Sequence, residues 1–274
     1  MKARGSRAKM KVKIALIGGG AMGEAMAKRL LTKKVAGPQD IVISDISPTR
    51  RELLSREYGV SCLADNEEAV KNADLIILAV KPQNLHQVME EVKGLVSKQL
   101  VLSIVAGASL SSLCEGLNHS SVVRAMPNMP AQIGEGMTIW TATGKTQKKQ
   151  KELAQTVLGA LGQEIYVADE KYLNMATALS ASGPAYVFLF IEALVDAGVH
   201  IGLPRDMARE LVLQTIIGST HTVEKTGRHP ADLRNMVTSP GGTTTEALLE
   251  LEKGRFRSLL LEAVAAAYRK AESL

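Results

Sequence analysis

At 274 residues the chain is long enough for one large domain or two modest ones, against a prior of ~150 residues per domain. Its 46% hydrophobic and 22% charged residues supply a substantial core and exclude wholesale disorder. The formal charge of +5 belongs to one end: Lys2, Arg4, Arg7 and Lys9 open the chain, and without them 29 bases face 28 acids. No basic stripe is left for the fold itself, which argues against a nucleic-acid partner.

Residues 1–11 read as a basic N-terminal extension without the apolar run of a secretory leader, and Met10 is a candidate natural start. Val12–Ile17 then gives a strand and Ala21–Leu31 a helix, with Met22, Ala25, Met26 and Leu30 at helical spacing. Ile41–Ser44 is a second strand and Arg50–Tyr58 a second helix. Leu75–Val80 is a fully apolar strand, followed by helical Leu85–Val96 and strand Leu100–Val105. Strands at Val122–Ala125, Met137–Thr141 and Glu164–Val167 bracket a helix over Lys148–Leu161. Continuously apolar strands alternating with helices mark a largely parallel sheet covered on both faces.

Beyond about residue 169 the strand pattern stops. Helical stretches follow at Glu170–Ile201, Arg205–Thr226, Pro230–Val237, Thr244–Glu252 and Phe256–Glu272. The predicted fold is therefore an α/β, Rossmann-like dinucleotide-binding domain over 12–168 and an all-α domain over 169–274. Tyr186–Val199 is apolar nearly all round, as in a helix flanked by partners, so a second subunit is expected to complete this core. Glu192, Asp196 and His200 interrupt the apolar stretch 185–201, so no membrane span is expected. Cys62 and Cys114 make no CxxC pair, which fits a reduced, cytoplasmic protein.

The first strand runs into Gly18-Gly19-Gly20-Ala21-Met22-Gly23, where a helix begins, and Asp45 follows at about the ~20-residue spacing of a dinucleotide site. Gly18 allows the tight turn, Gly20 lets backbone approach a pyrophosphate at the helix N-terminus, and Gly23 lets helix and strand pack closely. Asp45 suits a ribose 2′-hydroxyl and hence NAD. Ser47, Thr49, Arg50 and Arg51 suit a 2′-phosphate and hence NADP, so the cofactor reads as NADP or NAD. Asn66, Lys81-Pro82 and the stretch through Ala106-Gly107 fall at or near strand ends, where ligands sit in such sheets.

Two segments stand out in the second half. Gly183-Pro184 breaks the helical pattern, with Pro184 in the first turn of a new helix. In Ser239-Pro240-Gly241-Gly242-Thr243-Thr244-Thr245-Glu246, Thr243 and Glu246 have capping-box spacing, which predicts a helix start near Thr244 beside a glycine loop able to receive a carboxylate. The five histidines show no metal-ligand spacing and neither cysteine has a nucleophile signature, so neither a metal nor a covalent intermediate is expected. His229 before Pro230 reads as turn chemistry. Hydride transfer suits such a site, since the cofactor carries the chemistry and the protein positions it.

In order along the chain stand the Gly18–Gly23 turn, Ala79-Val80-Lys81-Pro82, Arg124-Ala125-Met126-Pro127-Asn128 and Ser182-Gly183-Pro184-Ala185-Tyr186. His229-Pro230, the Ser239–Thr244 segment and Gly254-Arg255-Phe256-Arg257 complete the series. The set resembles the pyrroline-5-carboxylate reductase family over residues 12–272, with Ser-Pro-Gly-Gly-Thr-Thr its most specific element. The resemblance implies NAD(P)H-dependent reduction of the cyclic imine of 1-pyrroline-5-carboxylate to L-proline, the last step of proline biosynthesis. It also implies a homodimer built by the C-terminal helices, commonly assembled further into a decamer.

By matched position the resemblance places Ile17, Gly18, Gly19, Gly20, Ala21, Met22, Gly23, Asp45, Ser47 and Asn66 around the cofactor. It adds Ala79, Val80, Lys81, Pro82, Ile104, Val105 and Ala106. Glu170, Gly241, Gly242, Thr243 and Thr244 are implied at the substrate, and Thr177 as a proton relay near the ring nitrogen. An acid at Asp45, where the family usually carries a small or polar residue, departs from the pattern and counts against strict NADPH use. Two other readings share parts of this sequence. A β-hydroxyacid dehydrogenase pairs the same domain types but wants a helical lysine, and Ala185–Ile201 has none. A non-catalytic NAD(P)-binding scaffold would have little use for a second anion-binding loop.

Overall fold

The computed structural model describes residues 12–273, so the expected extension at 1–11 lies outside the described residues. The chain divides into two compact units, one running to Ala181 and taking in the residues from Ala267, the other Ser182–Ala266.

The first unit is an eight-stranded sheet. Its strands are β1 (Ile14–Ile17), β2 (Ile41–Ser44), β3 (Ser61–Leu63), β4 (Leu75–Leu78), β5 (Leu100–Ser103), β6 (Val122–Met126), β7 (Gly136–Ala142) and β8 (Gly162–Tyr166). They lie in the order β3-β2-β1-β4-β5-β6-β7-β8, and every pair is parallel except β6 with β7. Because side chains alternate along a strand, the apolar runs feed two cores. Ile14, Leu16, Leu75, Ile77, Leu100 and Leu102 pack on one face. Ala15, Ile17, Ile76, Leu78 and Val101 pack on the other. This is why the strands read as unbroken apolar runs rather than alternating ones.

Helices cover both faces. On the first lie α1 (Ala21–Thr32), through Met26 and Leu30, and α2 (Pro48–Tyr58), through Leu54. The short α3 (Asn66–Val70) and then α4 (Leu85–Val92) and α5 (Leu110–Leu117) fill the second with Val70, Val88, Val92 and Leu113. The helix α6 (Lys148–Gly159) returns to the first face with Ala154, Val157 and Leu158. Reversal of strand order between β1 and β4 opens a crevice at the carboxyl ends of those strands, which is where such sheets bind ligands.

After β8 the chain is helical. The helix α7 (Lys171–Ala176) passes into a π-helical turn over Thr177–Ala181. Leu173 and Ala178 are buried, and Arg124 of β6 bonds Glu170 and Asn174. These ties keep residues 169–181 with the first unit, whose contacts run to Ala181.

The second unit begins with α8 (Gly183–His200), whose Pro184 sits in its first turn, and continues with α9 (Arg205–Thr226), α10 (Pro230–Met236), α11 (Thr243–Lys253) and most of α12 (Phe256–Glu272). The two long helices meet at Gly198, where an added Cβ would stand 2.9 Å from the Ala208 Cβ. Few apolar side chains are buried within this unit: Val195 and Ala208 are, while Phe188, Leu189, Leu211 and Leu261 are at least half exposed. By length and composition alone the helical stretch Lys171–His200 is also long and apolar enough to cross a membrane, so the charge interruptions at Glu192 and Asp196 do not settle that point.

Candidate active site

Strand register builds the crevice. Ile17 lies opposite Ser44 on one side and Leu78 on the other, so Gly18, Asp45 and Ala79 emerge side by side. Backbone bonds fix them there: Gly18 N–H donates to Ser44 O (2.8 Å), Ala79 N–H to Ile17 O (2.8 Å) and Asp45 N–H to Leu63 O (3.1 Å). The crevice has a volume of about 520 Å³. Ile17, Gly18, Gly20, Ser44, Asp45, Ile46, Ala64, Asn66, Ala79, Val80 and Lys81 line it, with Gln83, Asn84, Gln87, Val88 and Glu91 at one side.

The glycine turn fits a dinucleotide pyrophosphate. Gly18 has φ +101°, and a Cβ there would stand 2.7 Å from the carbonyl oxygen of Ala79. Gly23 is packed so closely that its Cβ would lie 2.0 Å from Gly18 O. Gly20 is the opposite case. It caps the N-terminus of α1, and a Cβ there would meet nothing within 4 Å, so backbone faces open space at a positive helix end. That is the cradle a pyrophosphate needs.

Asp45 is half-buried and held on both carboxylate oxygens. Oδ2 accepts the Gly19 N–H and Oδ1 the Ser47 N–H, each at 2.8 Å. The two arginines read as candidate phosphate ligands are engaged elsewhere. Arg50 pairs with Glu24 and donates to Gly19 O, and Arg51 donates to Asp45 O at 2.7 Å. Burial raises the Glu24 pKa, but hydrogen bonds from Tyr58 and Arg50 outweigh it, and the carboxyl is held below its usual range. Burial and the Glu24 carboxylate push the Tyr58 phenol up to about 12.

The remaining expected cofactor residues serve the frame. Gly19 carries the bond to Asp45, Ala21 and Met22 open α1, and the Ser47 hydroxyl caps α2 by accepting the Arg50 N–H. Pro82 starts a 3-10 turn ahead of α4. Ile104, Val105 and Ala106 follow β5 but are absent from the crevice lining, and Val105 is buried in the second core. Asn66 does line it, accepting the Ser44 hydroxyl and donating to Glu91 at 2.6 Å. Sequence reasoning missed Ser44, Ile46, Ala64, Gln83, Asn84, Gln87, Val88 and Glu91. Ile46 was findable, two residues past the end of β2 and next to Asp45. Ala64 was not, because the three-residue β3 before it carries no strand signal.

Glu170 accepts two hydrogen bonds on Oε1, from Leu110 N–H at 2.8 Å and from the buried Arg124 guanidinium at 2.7 Å. Arg124 also donates to Asn174 Oδ1 (3.0 Å). Asn128 joins the end of β6 to the π-helical turn by donating to Ser180. The Thr177 hydroxyl, at the start of that turn, donates to Leu173 O at 2.7 Å. Single π turns inside helices recur at functional sites.

In the second unit, Gly241 adopts φ +65° and Gly242 is the N-cap of α11. The expected Thr243–Glu246 capping box is therefore corrected. The helix starts one residue earlier, at Thr243, and the loop is closed by Thr245 donating its hydroxyl to Ser239 O at 2.7 Å. The Thr245 and Glu246 N–H groups both bond Gly242 O, and the two N–H groups before them, of Thr243 and Thr244, have no preceding turn to meet, so they present donors beside the glycines. His229 Nδ1 caps α10 by accepting the Ala231 N–H, which is turn chemistry. Among the described residues no group of three His, Cys, Asp or Glu is placed to hold a metal. Burial pushes both cysteine thiols up, which disfavours the nucleophilic thiolate.

Sheet order, glycine turn and acid-bearing crevice define a nicotinamide-dinucleotide-binding protein joined to a helical unit. Residues 13–107 match the family model for NADP oxidoreductase, coenzyme F420-dependent, and residues 170–274 the model for pyrroline-5-carboxylate reductase dimerisation. The chain is 42% identical to pyrroline-5-carboxylate reductase of Synechocystis, over 97% of this chain and 99% of that one. It is 36% identical to the Escherichia coli enzyme of that name, over 97% and 99%. Among solved structures, the Plasmodium falciparum pyrroline carboxylate reductase with NADP bound superposes with a TM-score of 0.90 at 32% identity, covering 97% of this chain and 99% of that one. The chain belongs to the pyrroline-5-carboxylate reductase family.

Proposed function

We infer that this chain reduces the C=N bond of 1-pyrroline-5-carboxylate with NAD(P)H, giving L-proline in the last step of proline biosynthesis. The observation that carries this reading is a match to reductases of that name over nearly the whole chain. Bound in the crevice, NAD(P)H supplies the hydride, and a protonated imine carbon is electrophilic enough to take it directly. The protein has then to bind, orient and keep water out, which makes the transfer effectively unimolecular.

Each expected residue takes a part in this reading. The loop Gly241–Thr244 offers backbone N–H groups to the substrate carboxylate, which fixes which ring carbon is presented. Thr177 relays a proton toward the ring nitrogen: its hydroxyl proton, which rests on Leu173 O, would leave that carbonyl for the nitrogen as the hydroxyl oxygen takes a proton from water. Glu170 stands at the substrate as a positioning residue: Arg124 and Leu110 both bond its Oε1, which fixes the carboxylate and leaves Oε2 to face a ligand. The exposed apolar faces of α8, α9 and α12 are covered by a second copy of the chain, which suits the dimerisation match better than lipid does. That homodimer is the unit from which a decamer would be built, and the enzyme works in the cytoplasm.

A cuvette assay tests the reading. Purified protein with 1-pyrroline-5-carboxylate should oxidise NADH or NADPH only when the imine is present. Cofactor binding without imine-dependent oxidation, or oxidation of a 3-hydroxyacid in its place, would overturn it. In that assay Thr244→Ala is expected to raise KM for the imine more than for the cofactor.

A further inference from the structure

We propose that Asp45 sets cofactor choice, making this chain prefer NADH to NADPH; the inference rests on the reductase reading above. Three observations carry it. The Asp45 carboxylate lines the crevice, one residue beyond the end of β2, where the ribose of a dinucleotide is read in this sheet order. The Gly19 and Ser47 N–H groups pin it from two sides, each bonding one oxygen, so it cannot swing away from an incoming ligand. Each oxygen keeps lone-pair capacity for a ribose hydroxyl, whereas a 2′-phosphate would bring roughly two negative charges against a fixed third.

The third observation concerns the cations that could reverse this. Arg50 is committed to Glu24 and to Gly19 O, and Tyr58 donates to the other Glu24 oxygen at 2.7 Å, so the acid that holds Arg50 is itself held. Arg51 is drawn to the Asp45 backbone carbonyl. The Ser47 hydroxyl accepts the Arg50 N–H as the cap of α2 and keeps its own proton, a neutral donor that offsets no charge. Arg50 would have to leave its partners to meet a phosphate, and Arg51 would meet it beside the carboxylate. Discrimination thus comes from a fixed repulsive charge as well as from a fitting acceptor.

The test reads binding apart from turnover. Calorimetric titration of the purified protein, without imine, compares ADP-ribose with 2′-phospho-ADP-ribose. ADP-ribose should bind on the order of tenfold more tightly or better, and kcat/KM with the imine should favour NADH in the same direction. Asp45→Ser should narrow or invert both ratios. Asp45→Asn keeps an acceptor for the Gly19 N–H while removing the charge, and should do the same even if the serine variant folds poorly. Equal or tighter binding of the phosphorylated ligand by the unaltered protein would overturn the proposal, as would ratios unmoved in both variants. Binding in the expected order without imine turnover would uphold it and count against the reductase reading instead.

Discussion

At the scale of single residues, the site is governed by places where one atom more or one charge fewer has nowhere to go. Gly18→Ala would put a Cβ 2.7 Å from a backbone oxygen, in a conformation L residues avoid. We expect it to cost roughly 1–3 kcal/mol and to abolish tight cofactor binding, read by denaturant unfolding and by nucleotide titration. Glu170→Ala leaves Arg124, a residue only 7% exposed, with the neutral Asn174 amide in place of a counter-charge, and should cost about 2–3 kcal/mol after allowing for the partial exposure of the acid. A melting temperature unchanged by that substitution would contradict the positioning role. Tyr58 gives a pH signature. Its folded pKa is raised from 10.0 to about 12, so the folded state holds the proton more tightly than the unfolded one. The stability this contributes is complete below pH 10 and falls as pH rises through about 12. Unfolding followed over that window should show a steeper loss in the unaltered protein than in Tyr58→Phe. The glycines and Asp45 were legible in the sequence because their spacing is tied to a strand-turn-helix unit. Arg124 was visible only as part of a resemblance, since nothing local says that an arginine on a strand will meet an acid many residues later.

At the scale of elements, legibility followed length and continuity. The strands β1 and β4 are short but wholly apolar, β2 and β5 are apolar up to a closing serine, and the helices α1, α6, α9 and α12 carry enough turns for a pattern to emerge. The missed elements are β3, α3 and α5. Ser61–Leu63 has only three residues, and Asn66–Val70 only five, so neither can show a period. The eight residues of α5 are half serine, glycine and glutamate, and the signal that starts them is the Ser109 cap accepting the Ser112 N–H. Caps decide such short helices. Asp65 accepts the N–H groups of Glu67 and Glu68 at the start of α3, the helix that brings Asn66 to the crevice. Asp65→Ala should cost about 1 kcal/mol by chemical denaturation and weaken nucleotide binding through Asn66. The Gly183-Pro184 break was legible because proline cannot continue a helix. The π turn before it was not, because the same residues would satisfy an ordinary helical period.

At the scale of the whole molecule, the two units differ in how their apolar surface is covered. The first closes two cores around one sheet. The second buries little within itself and leaves Leu189 67% exposed and Leu261 73% exposed. A surface of that kind on a helical unit asks for a second copy. Leu189→Asp should therefore shift the protein toward monomer in light scattering, with nucleotide binding retained, and a mass unaltered by the change would count against α8 as the dimer contact. The helical domain and its need for a partner were legible from the greasy period of Tyr186–Val199, and the choice between protein and lipid was not, since both reward the same side chains. The chemistry comes down to one atom: a hydride passes from the nicotinamide to the imine carbon. Incubation of the protein with 1-pyrroline-5-carboxylate and reduced cofactor deuterated on the transferred face, followed by mass spectrometry of the product, tests it directly. L-proline carrying one deuterium on the ring carbon next to nitrogen that does not bear the carboxylate is the expected product. Unlabelled proline, or no proline beside a consumed cofactor, would contradict it.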